Sequence, residues 1–131
     1  HELFKQHAAL RDLLRAVDRK AAAVHLDPVN MVSSPDKAYR TGDLIRSCFS
    51  LLGPRIRSCH AKDVVLREGL TVHLDECAPG TGLLDYGTYL AELARLDRDT
   101  PLIMEHLPRE AYPAAAAHIR SVAASRGVAL A

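Results

Sequence analysis

The chain has 131 residues, 48% of them hydrophobic and 25% charged, and its 17 basic and 16 acidic side chains leave a formal net charge of +1. That balance offers no basic surplus to hold nucleic acid or an anionic membrane, and no apolar run approaches the roughly 20 residues of a membrane span. The three cysteines, Cys48, Cys59 and Cys77, are odd in number and lack metal-type spacing, so they read as free thiols of a reducing cytoplasm, with no signal peptide ahead of the first helix.

The sequence opens at His1-Glu2 without an initiator Met and runs directly into a helical pattern, which reads as a fragment: one partial domain over residues 1–131. Leu3, Phe4, His7, Leu10, Leu13, Leu14 and Val17 recur at helical spacing and predict a helix over 2–19 with one apolar face. The short run Ala21–Leu26, stopped by Asp27-Pro28, predicts a strand. Ser34 is placed to cap a helix that has Pro35 at its first position. Gly42 is expected to interrupt that segment, and Thr41 to cap a second helix carrying Leu44, Ile45, Cys48, Phe49 and Leu52, ended by Gly53-Pro54. Ile56–Ala61 reads as the next strand, and Val64–Leu74 as a hairpin turning at Glu68-Gly69. Cys77–Leu84 is a Gly/Pro loop, and Asp85 can cap a helix over 86–96. Pro101–Glu105 is a third buried strand, and an Ala-rich helix over 109–126 closes at Gly127.

Short strands alternating with helices imply parallel βαβ units. Three parallel strands alone would leave both edges open, whereas a (β/α)8 barrel of roughly 250 residues closes them. The expected fold is therefore α/β: the C-terminal part of a TIM barrel, with about three parallel strands and four or five helices.

Each of the three strands ends in polar residues that local structure does not require: Asp27 after Val24-His25-Leu26, His60 with Lys62 and Asp63 behind it, and Glu105-His106 after Ile103-Met104. Active sites of parallel α/β folds lie at the C-terminal strand ends, so Asp27, His60 and Glu105 should converge. Singly, each has an ordinary reading: an Asp before Pro forms turns, and a strand His is commonly a hydrogen-bonded core residue. Jointly, two carboxylates and an imidazole form a ligand set for a divalent metal, with Mn²⁺ or Co²⁺ first and Zn²⁺ or Mg²⁺ as alternatives. Lys62, two residues beyond His60, points to the same side of the strand and serves either substrate oxyanions or a salt bridge. Asp63 is a candidate to orient His60 or Lys62. His25 is expected in the core, His106 under the last helix, and the charges of Arg67 and Glu76 in solvent or on substrate. The Gly80-Thr81-Gly82 turn shapes the entry to the helix capped by Asp85 rather than a phosphate cradle.

Leu26-Asp27-Pro28-Val29-Asn30, Cys59-His60-Ala61-Lys62-Asp63, Pro79-Gly80-Thr81-Gly82-Leu83-Leu84-Asp85-Tyr86 and Leu102-Ile103-Met104-Glu105-His106 appear in this order. That succession resembles the last three βα units of the sugar phosphate isomerase/epimerase family, which has the xylose-isomerase-like barrel. The resemblance implies a metal held by Glu, Asp, His and Glu, of which Asp27, His60 and Glu105 match the last three. The first Glu belongs to a strand before the 2–19 helix, and Glu2 does not replace it. It also implies a small sugar or sugar-derivative substrate, proton transfer through an enediolate with Glu105 as one acid-base group and Lys62 beside it, and substrate contacts from Asn30, Lys62 and Arg67. On this reading the chain alone is catalytically incompetent, completed by the missing N-terminal half of the barrel or paired as a homodimer. Alternatives on the same scaffold are an inosose-type dehydratase and an endonuclease IV-like zinc hydrolase, the latter short of histidine ligands and of basic surface. A non-catalytic half-barrel interaction module is a further alternative.

Overall fold

A computed structural model describes residues 5–96 and 99–131. The expected helical positions Glu2, Leu3 and Phe4 lie outside the described residues. The elements run α1 (Lys5–Val17), β1 (Val24–Leu26), α2 (Pro35–Ala38), α3 (Thr41–Leu52), β2 (Ile56–Ala61), β3 (Asp63–Arg67), β4 (His73–Cys77), α4 (Tyr86–Ala94), β5 (Leu102–Met104) and α5 (Tyr112–Ser125). Strands β1, β2 and β5 form a parallel sheet in that order, with Leu26 opposite Cys59 and Cys59 opposite Leu102. Strands β3 and β4 pair antiparallel as the expected hairpin, extended to Cys77 by the register Asp63 to Cys77 and Arg67 to His73.

The sheet has two unlike faces because side chains alternate along a strand. Leu26, Cys59 and Ala61 are fully buried and belong to one continuous core with Leu44, Ile45, Leu52, Tyr89 and Leu90 from α3 and α4. Full burial of a Leu or Ile side chain is worth roughly 1.5–3 kcal/mol, so this layer holds β2 firmly in place. The opposite face carries His25, His60 and Ile103, and Ile103 is 46% exposed. That is the side that faces inward in a barrel. The helices α1, α3, α4 and α5 pack in succession over the buried face.

Local signals were obeyed with three corrections. Ser34 accepts a hydrogen bond from the Lys37 amide and starts α2, and Asp85 accepts one from the Thr88 amide and starts α4. Thr41 does not cap α3. Its hydroxyl donates to the Leu83 carbonyl and accepts from the Asp85 amide, which ties α3 to the loop before α4. The break between α2 and α3 falls at Tyr39-Arg40, and Gly42 lies inside α3, where a Cβ would stand 2.8 Å from Asp85 Oδ2. On α1, Leu10 and Leu14 meet the core while Leu13 and Val17 are 58% and 44% exposed, because only one of the two adjacent i, i+4 rows reaches α3.

Candidate metal centre

Asp27 follows β1 directly, and its two carboxylate oxygens do separate work. Oδ1 accepts from the amides of Val29 (3.1 Å) and Asn30 (3.4 Å), closing the turn that Pro28 begins. Oδ2 points the other way, to His60 Nδ1 at 3.2 Å and Lys62 Nζ at 3.0 Å. The turn-forming and ligand readings of Asp27 thus hold at once.

His60 and Lys62 come from the end of β2 on the same side, as the two-residue period requires. From the end of β5, Glu105 Oε1 lies 3.0 Å from His60 Nδ1 and 2.8 Å from Lys62 Nζ. One imidazole and one ammonium therefore share the same two carboxylate oxygens. Helix α4 braces them from behind: the Tyr89 hydroxyl donates to the His60 carbonyl at 2.9 Å and the Tyr86 hydroxyl to the Lys62 carbonyl at 2.6 Å. His25 is exposed rather than in the core, on the inward-facing side of β1. It hydrogen-bonds Ser58 Oγ, and its ring stands nearly perpendicular to that of His60, with centroids 3.9 Å apart.

Two further residues join that the sequence reading left outside. The hairpin folds back so that Glu76 Oε2 reaches Lys62 Nζ at 3.2 Å, while its Oε1 meets His106 Nδ1 at 3.0 Å. His106 does not pack under α5. Its φ of 58° is left-handed, which turns the chain after Glu105 and leaves the ring 61% exposed, with Nε2 3.6 Å from Glu105 Oε2. A non-glycine residue in that region is strained and is sustained by its surroundings.

Three expected site residues do other work. Asp63 is buried and orients neither His60 nor Lys62. Its carboxylate accepts the amides of Val64, Gly80, Gly82 and Leu84 at 2.8–3.1 Å and so folds the Gly80–Leu84 loop. A Cβ on Gly82 would lie 2.3 Å from the Val64 carbonyl oxygen, and Gly80 has φ +92°. Both glycines are explained by this turn, as expected, and not by a phosphate. Arg67 sits at the far end of β3, about 13 Å along the strand from Asp63, in an exposed 3.1 Å pair with Asp75. Asn30 contributes its backbone amide to Asp27, and its side chain is exposed.

Electrostatics favour a cation. Burial opposes the charge on Lys62, but hydrogen bonds to Glu105, Asp27 and Glu76 outweigh it and push the ammonium pKa up. The hydrogen bond from Lys62 holds the Glu105 carboxyl below its usual range. By contrast, burial raises the thiols of Cys48 and Cys59 to about 12 and about 11, which leaves them unreactive, and all three cysteines are free. Among the described residues, ligand atoms of Asp27, His60 and Glu105 lie within 4.8 Å of one another. Carboxylate oxygen and imidazole nitrogen are the donors that divalent first-row metals accept. The residues present fit a divalent ion.

The family model of the xylose isomerase-like TIM barrel matches residues 1–122. The chain belongs to that family. Its fold is similar to the crystal structure of a xylose isomerase domain protein from Planctomyces limnophilus, with a TM-score of 0.70 and 22% identity over 92% of this chain and 44% of that one. The chain thus spans less than half the length of that protein. No curated protein matches it. As a piece of a xylose isomerase-like barrel, the parallel sheet gains an evident reason for its polar face: it is the wall of the barrel interior, with the candidate metal centre at the mouth. Among the described residues no helix is long and apolar enough to cross a membrane.

Proposed function

We propose that this chain forms part of a divalent-metal-dependent isomerase or epimerase acting on a small sugar or sugar derivative. The observation that carries the reading is the convergence of Asp27, His60 and Glu105 from three adjacent parallel strand ends. A bound divalent ion, Mn²⁺ or Co²⁺ by preference and Zn²⁺ or Mg²⁺ as alternatives, supplies charge stabilisation for the oxygens flanking the reacting carbon. Asp27, His60 and Glu105 are its ligands within this chain.

Glu105 is the proton-transfer group. Lys62 keeps it ionised, and the oxygen that does not meet Lys62, Oε2, faces the His106 side of the cluster, ready to take a proton from carbon. Lys62 is a second catalytic group, a positive charge beside any oxyanion that forms there. Asn30, exposed one turn beyond Asp27, is a substrate contact. The second proton-transfer carboxylate is assigned, on the family resemblance, to a strand preceding α1, so residues 1–131 alone are inactive and need the rest of a barrel or a second copy.

The test is solvent deuterium exchange at the carbon next to the carbonyl of a ketose, followed by NMR in the intact protein with Mn²⁺. Exchange that is lost in Glu105→Gln supports the reading. Mn²⁺ binding without exchange on any ketose tried sinks the isomerase chemistry and leaves a metal-dependent dehydratase or hydrolase.

A further inference from the structure

Three carboxylates, from Asp27, Glu105 and Glu76, surround the single ammonium of Lys62 at 3.0, 2.8 and 3.2 Å. Three carboxylates against one ammonium leave two negative charges over, which is the charge of one divalent ion. Asp27 Oδ2 and Glu105 Oε1, the oxygens that meet His60 Nδ1, are also the ones Lys62 holds. An ammonium and a metal ion cannot both keep undiluted claims on the same two oxygens, since each is attracted to the lone pairs that the other polarises. Glu76 offers the ammonium a partner outside the ligand trio. It comes from a different element, the hairpin strand β4, and its other oxygen is anchored by His106.

We infer that Lys62 and Glu76 work as a paired counter-charge for the metal site, with Glu76 receiving the Lys62 ammonium as the divalent ion takes over Asp27 Oδ2 and Glu105 Oε1. This rests on the metal reading above. Glu76 is a positioning residue: it acts on the metal through Lys62. The Lys62 stem is buried, so the head can swing only a short way, and Glu76 is already within reach. The arrangement keeps two carboxylates at a buried site from repelling each other, and it holds the metal less tightly than three bare carboxylates would.

The charge count makes the variants diverge. Glu76→Gln removes the alternative partner and one negative charge, so Mn²⁺ affinity should fall about tenfold. Lys62→Met removes the competitor, so affinity should rise about tenfold. In the double variant Glu76 has no ammonium left to receive, so binding should stay within about threefold of that of Lys62→Met, a non-additive cycle that two independent charge effects do not produce. The measurement is Mn²⁺ titration of the intact protein by calorimetry, with electron paramagnetic resonance as an independent count of free ion. Glu76 lies exposed on the hairpin, so Glu76→Gln tests the idea even if Lys62→Met fails to fold. Unchanged affinity in Glu76→Gln, or weaker binding in a folded Lys62→Met, overturns the inference while leaving the metal site standing. No Mn²⁺, Co²⁺ or Zn²⁺ bound by the folded parent protein overturns both.

Discussion

Two buried aspartates at strand ends, Asp27 and Asp63, reach opposite solutions to the same problem. Burying an ionised carboxylate is costly unless it is hydrogen-bonded or paired. Around Asp63 the solution is neutral: three backbone amides from one loop and that of the adjoining Val64 converge on both oxygens. Around Asp27 only one oxygen is satisfied by backbone, and the other is left to an ammonium and an imidazole. Amides fixed by the chain cannot leave, whereas charged side chains can be exchanged for an incoming ion. The Asp63 region is scaffold and the Asp27 region is the candidate site.

Four perturbations sharpen or break that contrast. The largest effect is expected at Asp63→Ala, which strands four amides; it should lower the free energy of unfolding by about 4 kcal/mol, measured by urea denaturation, to the same extent with and without Mn²⁺. Gly82→Ala forces a Cβ against the Val64 carbonyl and should cost about 2 kcal/mol by the same assay. Asp27→Asn keeps the turn acceptor and should cost less than about 1.5 kcal/mol, yet abolish the Mn²⁺-dependent rise in Tm. If Asp63→Ala rather than Asp27→Asn erased that rise, the assignment of scaffold and site would be reversed. Arg67→Ala, removing an exposed pair, should change stability by under about 0.5 kcal/mol.

A third buried polar group, His7, sets the pH scale. Burial and then the nearby Lys37 charge lower its pKa, and its ring meets Ser47 Oγ and Cys48 Sγ. A folded pKa below the unfolded value means that the unfolded chain binds the proton more readily. The contribution is fully present above the ordinary histidine range near 6.5 and is lost as pH falls through the depressed value. The slope of stability against pH between about 7 and 5 should flatten in His7→Gln, as read from urea midpoints. An unchanged slope would mean that the imidazole takes up its proton equally in the folded and unfolded states.

What the chain disclosed in advance follows from period and position. Strand β2 at Ile56–Ala61, the hairpin, and the caps at Ser34 and Asp85 were all legible from local chemistry. So was the meeting of Asp27, His60 and Glu105, because parallel strands deliver their ends to one place. Glu76 was not legible, since its approach to Lys62 depends on how far the hairpin folds back over the sheet, a tertiary matter. The left-handed backbone of His106 carried no sequence signal, because no glycine or asparagine marks it. Asp63 misleads for a different reason: its nearness to His60 and Lys62 in sequence suggests a partner three residues or one residue away. Its partners are amides 17–21 residues on, apart from that of Val64. The spacing of Gly80, Gly82 and Leu84 was the available clue.

Tyr86 and Tyr89 grip the main chain of Lys62 and His60 from the helical side. The mounting of these two side chains is therefore set from the helical side, behind the face that carries them. Losing either phenol oxygen would retune the alignment of the candidate ligands while the inward face of the sheet stayed chemically the same. Such remote control would let the inner wall change its side chains without loosening the mount of the candidate metal centre.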